Sequence, residues 1–473
     1  MPAKKRESEC LTRGMNEALG CFSLTAMSNI GLKRKSKQQR GNESKEVVFM
    51  SKPRYMPFNA ADRLGYELVH AIKKFNMSTM APAFITPRQL GNSILLDAVA
   101  NVLVQLSRHT CTITNTITTQ APILRSYGIV LRYAGAFVSS TDLRSKDETV
   151  TALTLLFLID SLMKFYDSTW TGGAAHLQGA LALFCSRTST SHPPLAVRAA
   201  LCCSDYYTFI LPVYTEQVSP FEHEAWLDMD IPSLGQEPTA LSRLRRISHK
   251  LNILLPRLIR DVRAFREGCA DKETWMAARA LSNKLVTLED KESESWVLHE
   301  VQLVPTLDAN DRAIVPYSFK FDTIQQLVDA LDYWKVRLVL NGLQNALASL
   351  ESPCAVKFPM LVDTNTTQSH LDAEGHRLAT NILMSWQDDR SRPPSGTLAM
   401  SHGVTVVRCY MQRLTNYRGV PRAVMEDWLY EAFKRSWLRG YCASKAEWDT
   451  WRVLDGGPLS TMMMRAGVGK GSR

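Results

Sequence analysis

No stretch of this 473-residue sequence stays apolar for long. The longest strongly apolar run, Val150 to Ile159, ends at Asp160, far short of the ~20 residues a membrane-spanning helix needs. Met1 to Cys10 are charged and lead into no apolar segment, so the expectation is a chain with no signal peptide and no membrane partner. Cysteine spacing excludes as much. The cysteines fall at 10, 21, 111, 185, 202, 203, 269, 354, 409 and 442, with no C-x2-C pair. A zinc ribbon, a zinc finger or a binuclear cluster needs such pairs. Cys202 and Cys203 are neighbours and on a helix would point about 100° apart. These residues read as reduced thiols, mostly small hydrophobes of the core.

Motifs of catalysis are equally scarce. There is no His-Glu-x-x-His pair, and His370 and His376 stand six apart, off the spacing that puts two ligands on one helical face. G-x-S-x-G and G-x-G-x-x-G are absent, which removes the local signs of a nucleophile elbow and of a dinucleotide fold. The tail Ala466-Gly-Val-Gly-Lys-Gly-Ser472 has Met464 where a phosphate loop needs its first glycine, and Gly471 where it needs Ser or Thr. Asp388-Asp389-Arg390 starts like a magnesium-diphosphate motif, but the positions for a further acid are Ser391 and Arg392, before Pro393-Pro394. It reads as a charged loop. No catalytic residue, metal ligand or cofactor is assigned. His176, in the first turn of its helix, reads as a packing residue, and Trp437, among Lys434, Arg435 and Arg439, as a solvated helix end.

What the chain does have is a globular composition, 45% hydrophobic and 22% charged. Its length suits about three domains, or one large helical domain with tails. The net charge of +10 is unevenly placed: residues 1–54 carry 12 Lys/Arg against 5 Asp/Glu, and the rest is close to neutral. Residues 1–55 read as a disordered basic arm. Within it Lys33, Arg34, Lys35, Lys37 and Arg40 form a candidate nuclear-import run. The same arm could touch nucleic-acid phosphates weakly and without sequence preference, with a Kd on the order of 10⁻⁴–10⁻⁶ M.

From residue 56 to about 440 the apolar residues recur at helical steps. Leu64, Leu68, Val69, Ile72 and Phe75 line a helix ending near Asn76, with Asn59 as its cap. Others are expected at about 91–106, 122–139 with Pro122 in the first turn, and 150–163, whose all-round apolarity marks a central helix. Further helices fit 174–184, 194–214, 239–266 (kinked or split by Pro256), 272–287, 322–350, 370–386, 395–414 and 422–438. Asp322 and Gln325 make a capping-box-like start for the long one. Connectors fall at 216–237, 288–318, 351–369 and 387–394, and residues 441–473 read as a tail. With no run of β-alternation long enough to require a sheet, the expected class is all-α: one large multi-helix bundle.

One order of motifs is distinctive. Asp147-Glu148-Thr149, the apolar helix 150–163, a break at Trp170, and His176-Leu177-Gln178-Gly179-Ala180-Leu181-Ala182-Leu183 follow one another. This order resembles the fungal-specific transcription factor domain, the helical regulatory region that follows a binuclear zinc cluster in many fungal activators. The likeness extends over about residues 60–440. It implies an all-helical regulatory domain in a nuclear, non-enzymatic transcription regulator, pathway-specific for a secondary-metabolite gene cluster such as that of trichothecene or another mycotoxin. The family's six-cysteine cluster, C-x2-C-x6-C and a second half, is not in this sequence, where only Cys10 and Cys21 precede the body; the usual heptad segment is missing too. The resemblance therefore implies action through a DNA-bound transcription factor or the transcription machinery, or an upstream exon encoding the cluster. A helical enzyme of terpenoid type and a cytosolic helical adaptor are the alternatives.

Overall fold

The computed structural model describes residues 60–75, 90–111, 116–144, 146–166, 183, 209, 212–213, 216–219, 221–222, 224–227, 239–350, 364–390, 395–436, 454 and 456–457. The basic arm, Asn59, the 174–184 helix with His176, most of 194–214, Trp437 and nearly all of the tail lie outside the described residues.

The amphipathic stripe of Leu68, Ala71 and Ile72 folds as α1 (Ala60–Lys74). α2 (Ile94–His109) starts at Ser93, whose hydroxyl accepts from the Leu96 amide, satisfying one of the orphan donors of the first turn. A two-residue pair, β1 (Thr110–Cys111) and β2 (Thr116–Ile117), leads to α3 (Ala121–Ser139) with Pro122 in its first turn. α4 (Asp147–Tyr166) buries Val150, Ala152, Leu153, Leu155, Leu156 and Ile159, the central position its apolar surface demanded. α1, α3 and α4 all pack on α2.

The second half is built around two long helices. α5 (Ala240–Arg266) runs on through Pro256 as one helix, so the proline does not split it. α6 (Lys272–Val286) and α7 (Lys291–Glu300) follow, capped by Asp271 and Asp290. Then β3 (Gln302–Pro305), the short α8 (Ala309–Ile314) and β4 (Tyr317–Lys320) form a hairpin, with Gln302 opposite Lys320 and Pro305 opposite Tyr317. Residues 288–318, expected as a connector, thus hold a helix and most of a hairpin.

α9 (Ile324–Ser349) is buried on nearly every side and packs on α5, α6 and the first and third of the four described helices that follow. These are α10 (Thr364–Met384), α11 (Trp386–Arg390), α12 (Ser395–Met411) and, after the pair β5 (Asn416–Tyr417) and β6 (Val420–Pro421), α13 (Arg422–Ser436). α10 starts inside the expected 351–369 connector, and α11 replaces the expected charged loop at 388–390. The β5–β6 turn puts Arg418 at φ +50° and Gly419 at φ +83°, as a two-residue hairpin turn with both central residues left-handed requires.

The described region is 77% helical, and no strand among the described residues exceeds four residues, so the protein is all-α. Its buried apolar side chains form one cluster from Leu68 to Leu454. No described helix is long and apolar enough to cross a membrane.

Candidate functional site

The densest polar cluster in the described residues surrounds α7. Asp290 caps the helix, accepting from the Ser293 amide at 2.9 Å and the Ser293 hydroxyl at 2.6 Å. Arg243 of α5 reaches the same hydroxyl at 2.7 Å and the Asp290 carboxylate at 3.3 Å. Burial pushes the Asp290 carboxyl up, but the Ser293 donors and Arg243 outweigh it and hold the group below its ordinary value. The Asp290 amide donates to Tyr333 Oη of α9 at 3.3 Å. That phenol is pushed up to about 12, chiefly by burial.

One turn along, Glu294 points into the interior. Its Oε1 accepts from Trp334 Nε1 at 2.8 Å and from Arg377 Nη1 at 2.6 Å, and its Oε2 accepts from Arg377 Nη2 at 3.1 Å. The other side of the Arg377 guanidinium holds Glu374 through Nε and Nη2, both at 2.8 Å. Hydrogen bonds donated to Glu374, then to Glu294, raise the guanidinium pKa despite burial. Burial pushes Glu374 up, but Arg377 reverses this and leaves it low. A planar fork matched to a carboxylate on each side is a geometry lysine cannot supply. Arg337 of α9 extends the network to Glu289 at 3.1 Å.

Two further buried carboxylates bind inward. Asp311 of α8 is 1% exposed and joins two indoles, accepting from Trp428 Nε1 at 2.9 Å and Trp386 Nε1 at 3.2 Å. Asp388 is also buried, and its Oδ2 accepts from the Phe321 amide at 3.3 Å. The acid read as part of a charged loop is a buried residue closing the base of the hairpin onto α11.

The chemistry of this arrangement is that of a clamp. A general acid or base needs a lone pair or proton that can reach a substrate; Glu294 and Asp311 spend both oxygens on protein donors. Among the described residues no group of three or more His, Cys, Asp or Glu could hold a metal ion.

The import residues Lys33, Arg34, Lys35, Lys37 and Arg40 lie outside the described residues, as does His176. Of the described tryptophans, Trp226, Trp275, Trp334 and Trp386 are buried, whereas Trp296 is exposed on α7. Of the thiols, Cys409 is buried and Cys269 is exposed. The clamp was not found from sequence. Its one local signal was Asp290 three residues before Ser293, a cap pattern hidden in a run of acids.

No family model, curated protein or solved structure matches the chain.

Proposed function

We propose that this protein is a nuclear transcription regulator whose helical body works by contact with other proteins and not by catalysis. The observation that carries this is the order Asp147-Glu148-Thr149, apolar helix, Trp170 break and His176-to-Leu183 motif, which resembles the fungal-specific transcription factor domain. The all-α architecture supports the same reading. So does a described interior whose Glu294 and Asp311 carboxylates are consumed by protein donors.

With no zinc-cluster cysteines among these residues, the reading is action through a DNA-bound transcription factor or the transcription machinery, or through a cluster encoded by an upstream exon. Its basic arm adds only weak, salt-sensitive phosphate contacts. The Lys33, Arg34, Lys35, Lys37 and Arg40 run carries it into the nucleus. The target is a pathway-specific gene set of secondary metabolism.

Deleting the gene and measuring transcripts tests this. Expression across a co-regulated gene cluster should change together; unchanged transcripts overturn the reading. Replacing Lys33, Arg34 and Lys35 with alanine should shift a tagged protein from nucleus to cytosol, and an unaltered distribution removes the import assignment.

A further inference from the structure

The outer face of α7 has no partner among the described residues. Trp296 stands on it, 46% exposed, and no described ring or cation lies against the indole. Glu292 and Glu300 stand four residues before and after it. Both are exposed, and neither makes an ion pair or hydrogen bond among the described residues. Side chains four apart on a helix are neighbours, so the three form a stripe of carboxylate, indole and carboxylate, ~6 Å per step and ~12 Å from end to end. His299 borders it.

The other charges of this helix are spent elsewhere. Glu294 is held by Arg377 and Asp290 by Arg243. Lys291, the only lysine of α7, lies about 140° round the helix from Trp296 and pairs with Glu289 at 3.5 Å. A large indole in water between two unspent carboxylates fits a chain of cations. A Lys or Arg settles over the ring within ~6 Å of its centre, and its neighbours along the chain meet the acids.

Such a chain is part of this protein. Residues 1–54 carry 12 Lys/Arg against 5 Asp/Glu, and Lys33, Lys35 and Lys37 alternate within them. Every second side chain of an extended segment points the same way, ~6.6 Å apart. The three lysines therefore match the stripe in register, the outer two on the carboxylates and the middle one over the indole. Gly41 to Asn59 can span up to ~65 Å, more than the ~55 Å width of a compact body of this size.

We propose that the Glu292–Trp296–Glu300 face of α7 is the docking site for the chain's own basic run, Lys33 to Arg40, and that docking withholds the run from an import receptor and from phosphates. The withholding rests on the reading of that run given under Proposed function; the contact does not. Three side chains offer far less than the ~800 Å² per partner of a stable complex between separate proteins. A tethered segment needs less, because its effective concentration is on the order of a millimolar.

Zero-length carbodiimide cross-linking of the full chain, read by mass spectrometry, tests the contact whether or not the run directs import. Mixing isotope-labelled with unlabelled protein separates links within a chain from links between chains. Within-chain links from Lys33 and Lys37 to Glu292 and Glu300 should exceed those to Glu267 and Glu273, which are also exposed. Trp296→Ser keeps both carboxylates and should lower the yield about two- to fivefold. Salt at about 1 M, where the Debye length is ~3 Å, should abolish the links. Links spread evenly over the exposed acids, links found only between chains, or a yield that Trp296→Ser leaves unchanged each overturns the proposal.

Discussion

At Gly375 of α10 an added methyl group would lie 2.5 Å from Tyr410 Cε2 and 2.8 Å from Asn341 Oδ1. Neither neighbour is a loose side-chain end: Tyr410 is buried, and the Asn341 amide donates to the Leu371 carbonyl at 2.8 Å. Gly375→Ala should therefore cost about 1–3 kcal/mol through overpacking. Gly128, inside α3, has open space where its Cβ would be. Gly128→Ala should stabilise by about 0.5–1 kcal/mol, through helix propensity alone. In thermal unfolding the two midpoints should move in opposite directions; a shared direction would refute the contrast. Asp311→Leu is a second test at this scale. It orphans the buried indole donor of Trp386, at about 1–3 kcal/mol, and the half-buried one of Trp428, and should lower the midpoint further than Trp428→Phe, which removes one donor and keeps a ring. Neither glycine nor Asp311 could be singled out from the sequence. Asp311 meets partners 75 and 117 residues away, and no local pattern encodes such a meeting.

Helix boundaries were legible where apolar periodicity and a cap agree. The stretches 239–266 and 272–287 were expected almost as they fold, because the apolar stripes are long and Thr239 and Asp271 cap them. At α9 the cap was misplaced by one residue. Thr323 Oγ1, not Asp322, accepts from the helix, from the Gln326 amide at 3.1 Å, while Gln326 reaches back to the Asp322 amide at 3.1 Å. Threonine and Gln326 form the box; the neighbouring acid lends it only a backbone donor. Thr323→Ala should cost about 0.5–2 kcal/mol, and Asp322→Ala should stay within about 0.5 kcal/mol of wild type. Urea midpoints compare the two directly, and the reverse order would restore Asp322 as the cap. α7 and the hairpin were missed for a different reason. Lys291 to Glu300 is rich in exposed acids, and its burial rests on Ser293, Glu294 and Val297, too few apolar positions for a periodic signal. β3 and β4 are four residues each, joined through a short helix and not a Gly-rich turn, so no hairpin signature exists for them.

Over the whole molecule the helical class was readable because it depends on a repeated local property, the 3.6-residue apolar period. The buried polar network was not, because it depends on which helices meet. That network makes stability depend on pH in two stages. His249 has a folded-state pKa depressed from 6.5 to about 4. Between those values the unfolded chain takes up a proton that the folded chain refuses, so stability falls as pH drops through the interval. Glu374 and Asp290 are carboxyls held low by Arg377 and by Ser293 and Arg243, against burial. Their contribution is present above their ordinary values of 4.5 and 3.8 and is lost as pH falls through the lower folded values. Asp329, raised by burial despite Arg245, has the opposite sign and blunts the second stage. Urea unfolding at constant temperature from pH 7.5 to 3.5 should show a decline beginning near 6.5 and a steeper one below about 4.5. His249→Gln should shrink the first stage, leaving the part due to His376, which burial and then Arg418 also hold below its ordinary value, and should leave the second, because additivity holds for sites with no shared partner. A variant whose curve runs parallel to wild type throughout would mean that His249 is not the group that makes the fold acid-sensitive.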